Sequence, residues 1–200
     1  MRDTDEMELY DRREERGPVP AEEQLAVLRR LGLDIPDPEI EQASPEYAYL
    51  PILLSLGTRG YRRVDGVRTR QPSQAFSFDM EADDAEEMYR DYFLGLQSLS
   101  EGELAFTDLT VDLSQVDWEG PGGVVDVRCA INGTPFQYSA AFQGDWLDMD
   151  IQAAVNGCLE ALGSEKRFFA TSDGGQYVTV FFCTEEWARA FEETTLCHMS

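Results

Sequence analysis

The stretch "GGVVDVRCAINGTPFQYSAAF" (residues 122–142) decides the fold, because it specifies a β-hairpin together with its register. Asn132-Gly133 is the strongest short signal for a two-residue type I′ turn, and such a turn pairs Ile131 with Thr134. The alternation of side chains along both strands then places one set on a single face: Val125, Val127, Cys129, Phe136 and Tyr138. Turn chemistry and alternation agree independently, so we predict that this face points toward the core.

Helical and strand patterns alternate on both sides of the hairpin. Apolar residues repeat with a period of about 3.6 in helices and of 2 in strands. The predicted helices cover residues 21–32, 44–57, 83–96, 148–162 and 185–193, and the predicted strands cover 75–80, 103–114, 166–172 and 176–183. This order predicts an α+β fold: one domain with a mainly antiparallel sheet and helices packed on it.

Three segments have weaker patterns. We expect Ser44 to cap the helix over 44–57, Pro51 to kink it and Gly57 to end it. Residues 58–73 contain five arginines without a clear period, so they are predicted to form a loop. The last residues, 194–200, are expected to be loose. The predicted limits are a charged arm and linker over 1–19, the domain over 20–194 and a tail over 195–200.

The chain is strongly acidic, with a formal net charge of −23 over 200 residues. Residues 71–200 hold 24 acidic and 5 basic residues, a net charge of −19. Such a field repels nucleic acids and anionic membranes, and it favours a basic protein partner. The first residues have no apolar segment typical of a signal peptide, and the four cysteines form no paired motif. A cytoplasmic location is therefore expected.

Carboxylates are abundant, but their spacing does not fit a known metal or catalytic motif. A calcium loop beginning at Asp79 would have Asp84 where glycine is needed and Arg90 where a bidentate glutamate is needed. Asp83 and Glu86 instead have the spacing of a helix capping box. The only histidine, His198, lies next to Cys197 near the end of the sequence. We predict no catalytic residue, no metal and no cofactor, and we expect the chain not to be an enzyme.

Two short segments combine acids with a tryptophan and are the candidate binding surface. The segment "GDWLDMD" precedes a predicted helix, and "VDWEG" follows a predicted strand. The candidate residues are Asp145, Trp146, Asp148, Asp150, Asp117, Trp118 and Glu119. Acids at a strand-to-helix junction can act in glycoside hydrolysis, but they also cap helices.

Three functions agree with these observations. The first is an interaction protein that binds and can neutralise a basic partner, either directly or as a mimic of nucleic acid. In size, charge and absence of motifs the chain resembles, as a class, small cytoplasmic immunity proteins of bacterial toxin systems. The second is a hydrolase that uses carboxylates such as Asp145 and Asp148. The third is a domain whose acidity reflects solubility or adaptation to high salt.

Overall fold

The computed structural model describes residues 4–37, 42–59, 61–64, 67–81, 83–100, 102–118, 122–172 and 174–200. The helices in these ranges are α1 Thr4–Arg16, α2 Ala21–Arg30, α3 Leu50–Thr58, α4 Ala85–Leu99, α5 Asp150–Ala161 and α6 Glu185–Thr195. The strands are β1 Tyr61–Val64, β2 Val67–Arg70, β3 Phe76–Asp79, β4 Phe106–Val116, β5 Gly123–Ile131, β6 Thr134–Ala141, β7 Lys166–Ser172 and β8 Tyr177–Thr184. The predicted α+β class is confirmed.

The strands form three small antiparallel sheets, in the orders β1-β2, β3-β8-β7 and β4-β5-β6. The chain divides into two compact units. The first unit contains Met1–Arg59, Ser73–Phe78 and Phe169–Ser200, and the second contains Gly60–Pro72 and Asp79–Phe168. The predicted domain limits at residues 20 and 194 stay a prediction.

The hairpin of β5 and β6, in the second unit, has the register that the sequence predicts. Ile131 pairs with Thr134 across Asn132-Gly133, and Cys129 pairs with Phe136. Both turn residues have positive φ, as a type I′ turn requires. The predicted core-facing residues lie on one face: Val125, Val127, Cys129 and Phe136 are buried, and Tyr138 is half-buried. The prediction for this face is confirmed.

Helix α4 packs an apolar stripe, whose residues are spaced three and four apart, in the second unit. The ring of Phe93 meets Phe106 of β4 at 5.0 Å and Phe136 of β6 at 6.1 Å, both edge-on. Buried stripe residues are Ala85, Met88, Tyr89, Tyr92, Phe93 and Leu96. The cap differs from the prediction: Asp84, and not Asp83, accepts from the backbone N–H of Glu87. Asp84 has extended backbone, as an N-cap requires.

Helix α5 begins two residues later than predicted, at Asp150. Ile151, Val155 and Leu159 form its buried face. Leu162 continues the three-to-four spacing of these residues and ends the predicted helix over 148–162, but it is exposed. The helix ends at Ala161 and Gly163 turns the chain with φ +75°, so Leu162 lies beyond the last helical turn.

In the first unit, the aromatic side chains of β8 and α6 pack together. Phe181 lies 5.3 Å from Trp187 and 5.5 Å from Phe191, measured between ring centroids. Trp187 also donates its indole N–H to the carbonyl of Leu31 at 2.7 Å, which ties α6 to the end of α2. Thr184 directly precedes the predicted helix over 185–193, where threonine is a favoured cap, and its hydroxyl accepts from the Trp187 backbone N–H.

The C-terminal residues are ordered by burial, which corrects the expectation that 194–200 are loose. Leu196, Cys197 and Met199 are buried. The backbones of Ala170 and Ser200 exchange two hydrogen bonds, at 2.8 and 2.9 Å, along the outer edge of β7. Buried apolar side chains and these backbone hydrogen bonds to β7 together hold this segment in place.

Helix α3 is shorter than predicted. It begins at Leu50, and Pro51 lies in its first turn, where no backbone N–H is needed. Pro51 therefore helps to start the helix and does not kink it. Ser44 lies outside the helix and forms a backbone bridge with Ala48. Gly57 lies inside the helix, which continues to Thr58.

Within the segment predicted to be a loop, residues 61–64 and 67–70 instead form two paired antiparallel strands. Val64 pairs with Val67, and Tyr61 pairs with Arg70. The sequence carries a signal that the loop prediction overlooked: Asp65-Gly66 stands between two valines. Those two residues, and the side chains of Arg62, Arg63 and Arg68, lie outside the described part of the chain.

Candidate functional site

In the second unit, the acidic segment that precedes α4 lies next to the acidic segment that precedes α5. Glu81 forms an antiparallel backbone bridge with Trp146. The backbone N–H of Leu147 donates to the carbonyl of Met80 at 2.8 Å. The N–H of Glu81 also donates to the side chain of Asp79 at 2.9 Å. Carboxylates that are far apart in sequence are therefore held next to each other.

The clustering of negative charge has an electrostatic consequence at Glu81. Desolvation, and then the negative charges of Asp145, Asp79 and Asp83, raise the pKa of Glu81 above its ordinary value. A hydrogen bond between the Glu81 and Asp145 carboxyl groups, which forms only when one of them is protonated, contributes to the same rise in pKa. A cation placed among these groups would relieve their repulsion.

The second candidate segment lies at the same end of the β4-β5-β6 sheet. The connection between β4 and β5 and the end of β6 meet there, and Phe142 donates its backbone N–H to the Gly123 carbonyl. Trp118 lies on this connection, is 67% exposed and packs edge-on to Phe142 with 5.6 Å between ring centroids. Trp146, next to the clustered acids, is 37% exposed.

The connection itself depends on Gly123. It has φ +92°, and an added Cβ would lie 2.9 Å from the Cα of Val116, closer than side chains approach. Only glycine fits both demands without a shift of backbone. The close return of the chain is what presents Asp117 and Trp118 beyond the end of the sheet.

We call this surface the acidic end. Its residues are Asp79, Glu81, Asp83, Asp117, Trp118, Asp145 and Trp146. Four of the predicted site residues belong to it, and all four are exposed: Asp117, Trp118, Asp145 and Trp146. Asp150 is exposed too, in the first turn of α5, where the helix dipole favours a carboxylate. Glu119 was also predicted, and it lies outside the described residues.

Asp148 was predicted to belong to this surface, but it is only 7% exposed. Its carboxylate accepts from the Tyr138 hydroxyl at 3.2 Å and from the backbone N–H of Ala141 at 2.9 Å. It accepts from the backbone N–H of Asp150 at 3.1 Å as well. Burial and the charge of Asp148 raise the pKa of Tyr138 to about 12, so this hydroxyl is a donor at neutral pH. Asp148 joins β6 to α5 and has a structural role.

Sequence reasoning did not place Asp79, Glu81 and Asp83 in the site, because it assigned them to the approach of α4. They reach the surface through the backbone bridge between residues 81 and 146, which local patterns do not indicate. A surplus of acids beyond those needed to cap α4 is the one signal in the sequence: the cap itself uses only Asp84.

The cysteines and His198 do not form a catalytic pair. Burial raises the pKa of the Cys197 thiol, and it raises the pKa of Cys129 to about 11. Nδ1 of His198 instead lies 2.9 Å from a carboxylate oxygen of Glu192, which also accepts from the backbone N–H of Met199. All four cysteines are free thiols.

In the part of the chain that the structure describes, no three His, Cys, Asp or Glu side chains come together in a way that could hold one metal ion. None of the helices described above combines the length and apolar character needed to cross a bilayer. Comparison of the chain with protein-family models, curated proteins and solved structures gives no match.

The charge cluster predicts a pH-dependent stability. Because the pKa of Glu81 is higher in the folded protein than its ordinary value, binding of a proton to Glu81 favours the folded state. This contribution to stability is complete below the ordinary glutamate pKa and is lost as the pH rises through the raised pKa. The variant Glu81→Gln removes the repelling charge. We expect it to unfold at higher urea concentration than the wild type at pH 7, with the difference disappearing below about pH 4.

The control for this experiment is Glu165→Gln, which changes an exposed carboxylate outside the acidic end. It should leave the pH dependence of the unfolding midpoint as in the wild type. Identical midpoints for Glu81→Gln and the wild type at both pH values would show that the acids do not repel one another measurably.

Proposed function

We propose that the protein binds a basic protein partner through the acidic end and can neutralise that partner. The observation that carries the proposal is the convergence of like-charged carboxylates beside exposed tryptophans. Desolvation, and then the negative charges of neighbouring acids, raise the pKa of Glu81, so a lysine or arginine entering the cluster relieves repulsion as well as gaining attraction.

The tryptophans suit the same kind of partner. A guanidinium or ammonium group is attracted to the face of an indole ring, and Trp and Arg are over-represented among residues that dominate interface affinity. Trp118 and Trp146 both expose part of their rings next to carboxylates. An indole ring would contact the aliphatic part of a lysine or arginine side chain, and the neighbouring carboxylate would bind its charged group.

The overall charge supports the proposal through the rate of encounter. The net charge of −23 attracts a basic protein over several ångströms and repels nucleic acid and anionic membranes. The same charge is what a mimic of nucleic acid would present to a DNA-binding or RNA-binding protein. Free cysteines are typical of a reducing compartment, so we propose that this encounter takes place in the cytoplasm.

The hydrolase alternative loses its main support in this arrangement. It relied on Asp145 acting together with Asp148, and Asp148 is buried and accepts three hydrogen bonds. The high-salt or solubility alternative makes a different prediction from ours: it expects no dependence of any association rate on the acidic end.

The test begins with capture of partners from a lysate of the source cell, followed by their identification by mass spectrometry. The association rate of the captured protein is then measured at low and high salt. We expect a basic partner whose association with the wild type slows as salt rises. The double variant Asp145→Asn with Trp146→Ala should slow low-salt association about tenfold.

The matched control is Glu160→Gln with Leu162→Ala, which removes one exposed carboxylate and one exposed apolar side chain outside the acidic end. This control should associate at the rate of the wild type. An acidic partner, or association that is independent of salt, would contradict the proposal. The solubility or high-salt explanation of the acidity would then be preferred.

A further inference from the structure

A cleft of about 900 Å³ lies in the first unit, and its lining includes no residue of the acidic end. One wall is α1 with the residues that follow it, and the other is the segment over residues 44–50. Side chains that define its chemistry are Tyr10, Glu14, Pro18, Pro45, Glu46 and Tyr47. The volume is at the upper end of the range for ligand sites.

Hydrogen bonds hold the two walls of the cleft together. The side-chain NH₂ of Gln24 donates to the carbonyl of Val19 at 2.7 Å and to the carbonyl of Ser44 at 2.9 Å. The backbone N–H of Val19 donates to the carbonyl of Pro45. Gln24 is buried on α2, so a core residue fixes the distance between the walls.

Helix α1 is fixed by Arg16. Its guanidinium donates to the carbonyls of Thr194 and Thr195, at 3.1 and 2.8 Å, where α6 ends. A cation at this position also interacts favourably with the helix dipole. The same group lies 5.7 Å from the ring centroid of Tyr49. The cleft is therefore formed before any ligand arrives, which lowers the entropic cost of binding.

The lining combines exposed aromatic faces with an excess of negative charge. Tyr10 is 42% exposed and Tyr47 is 55% exposed. Arg13 places its guanidinium 5.4 Å from the Tyr10 ring centroid. Against this one cation stand the exposed carboxylates of Glu14 and Glu46. The backbone beneath is held in an unusual conformation, since the buried Ala48 has φ +51°.

We propose that this cleft binds an extended, proline-containing peptide segment with flanking arginine or lysine residues. Proline-rich segments are already extended and dock in grooves lined by aromatic rings, because little conformational entropy is lost. Tyr10 and Tyr47, with Pro18 and Pro45, supply rigid apolar walls for such a segment. Glu14 and Glu46 then select basic flanking residues by charge.

This inference is independent of the proposed function, because the cleft and the acidic end share no residue. Loss of peptide binding in cleft variants would leave the acidic end untouched. Conversely, failure of the acidic end to bind a basic protein would not affect the cleft.

The experiment uses the full chain and a short fluorescent peptide with two Pro-x-x-Pro repeats and an arginine at each end. Binding is followed by fluorescence anisotropy. A second peptide has alanine in place of proline and the same charge, and a third keeps the prolines but has glutamate in place of arginine. We expect saturable binding of the first peptide and at least tenfold weaker binding of the other two, roughly the effect of losing one main contact.

Protein variants locate the binding site. Tyr47→Ala and Glu46→Lys should each weaken the affinity for the first peptide about tenfold or more. Both side chains are exposed, so the variants should keep the unfolding temperature of the wild type. The control is Tyr177→Ala, which removes an exposed tyrosine of β8 that does not line the cleft. It should bind like the wild type.

The proposal would be overturned by the absence of saturable binding, by equal affinity for the alanine peptide, or by an equal loss in Tyr177→Ala and Tyr47→Ala. Equal affinity for the glutamate peptide would show that the cleft does not select by charge, and this also contradicts the proposal as stated.

Discussion

Replacing Asp148 by alanine should lower the free energy of unfolding by about 3 kcal/mol. The carboxylate accepts from the Tyr138 hydroxyl and from the backbone N–H groups of Ala141 and Asp150. Truncation leaves these donors without their acceptor at a site that is almost closed to water. A buried group that loses its hydrogen-bond partner costs far more than an exposed one.

Urea denaturation followed by tryptophan fluorescence measures this effect. Asp148→Asn keeps one acceptor oxygen and should lose less stability than Asp148→Ala. The matched control is Asp145→Ala, which removes an exposed carboxylate three residues away and should change stability by less than about 0.5 kcal/mol. If Asp148→Ala were as stable as this control, the hydrogen-bond network around Asp148 would not contribute to the fold.

Gly57→Ala should destabilise the protein by about 2 kcal/mol, although alanine is the better helix former. The added Cβ would lie 2.5 Å from the backbone nitrogen and 2.8 Å from the Cβ of Ser77, and it would also meet the Ser77 hydroxyl. Ser77 cannot move easily, because its hydroxyl is hydrogen-bonded to Thr179 at 2.7 Å in the buried interior. The clash outweighs the gain of up to about 1 kcal/mol in helix propensity.

Gly157→Ala is the same substitution in another helix, and it should stabilise the protein where Gly57→Ala destabilises it. Gly157 lies within α5, is exposed, and an added Cβ would meet no atom within 4 Å. Only the helix propensity changes there, so this variant should gain about 0.5–1 kcal/mol. Thermal or urea unfolding of the two variants checks both signs. Equal shifts in the same direction would contradict the close approach of α3 to Ser77.

Signals between residues that are close in sequence, such as turn, cap and alternation patterns, predicted the elements that depend on those residues alone. Asn132-Gly133 and the alternation around it determine the β5-β6 register, and Thr184 determines the start of α6. The Asp65-Gly66 signal was of the same kind, so the pairing of β1 with β2 was also predictable. Pro51 was misinterpreted because proline can start a helix or break one, and only the position of the first turn distinguishes the two.

The rest required contacts between residues far apart in sequence. Nothing near Gly57 indicates that Ser77 lies against it, so its role as a helix end was the natural interpretation. In the candidate site, Asp145 and Asp148 are three residues apart and look equivalent. One is exposed beside Glu81, and the other is enclosed by Tyr138 and Ala141. Acids in one short segment can thus have different roles that only the tertiary fold separates.

The division of the chain has a consequence for its synthesis on the ribosome. The first unit needs Phe169–Ser200, whereas the second ends at Phe168. Apolar residues of α2 and α3, such as Leu28 and Ile52, pack in the same core as Phe191 and Met199. At ordinary translation rates, synthesis of Phe169–Ser200 takes roughly two to six seconds after the second unit is complete, and only then can these residues of α2 and α3 complete their core. During that interval the nascent chain carries one unit able to fold and one exposed apolar surface, which is the state that chaperones recognise.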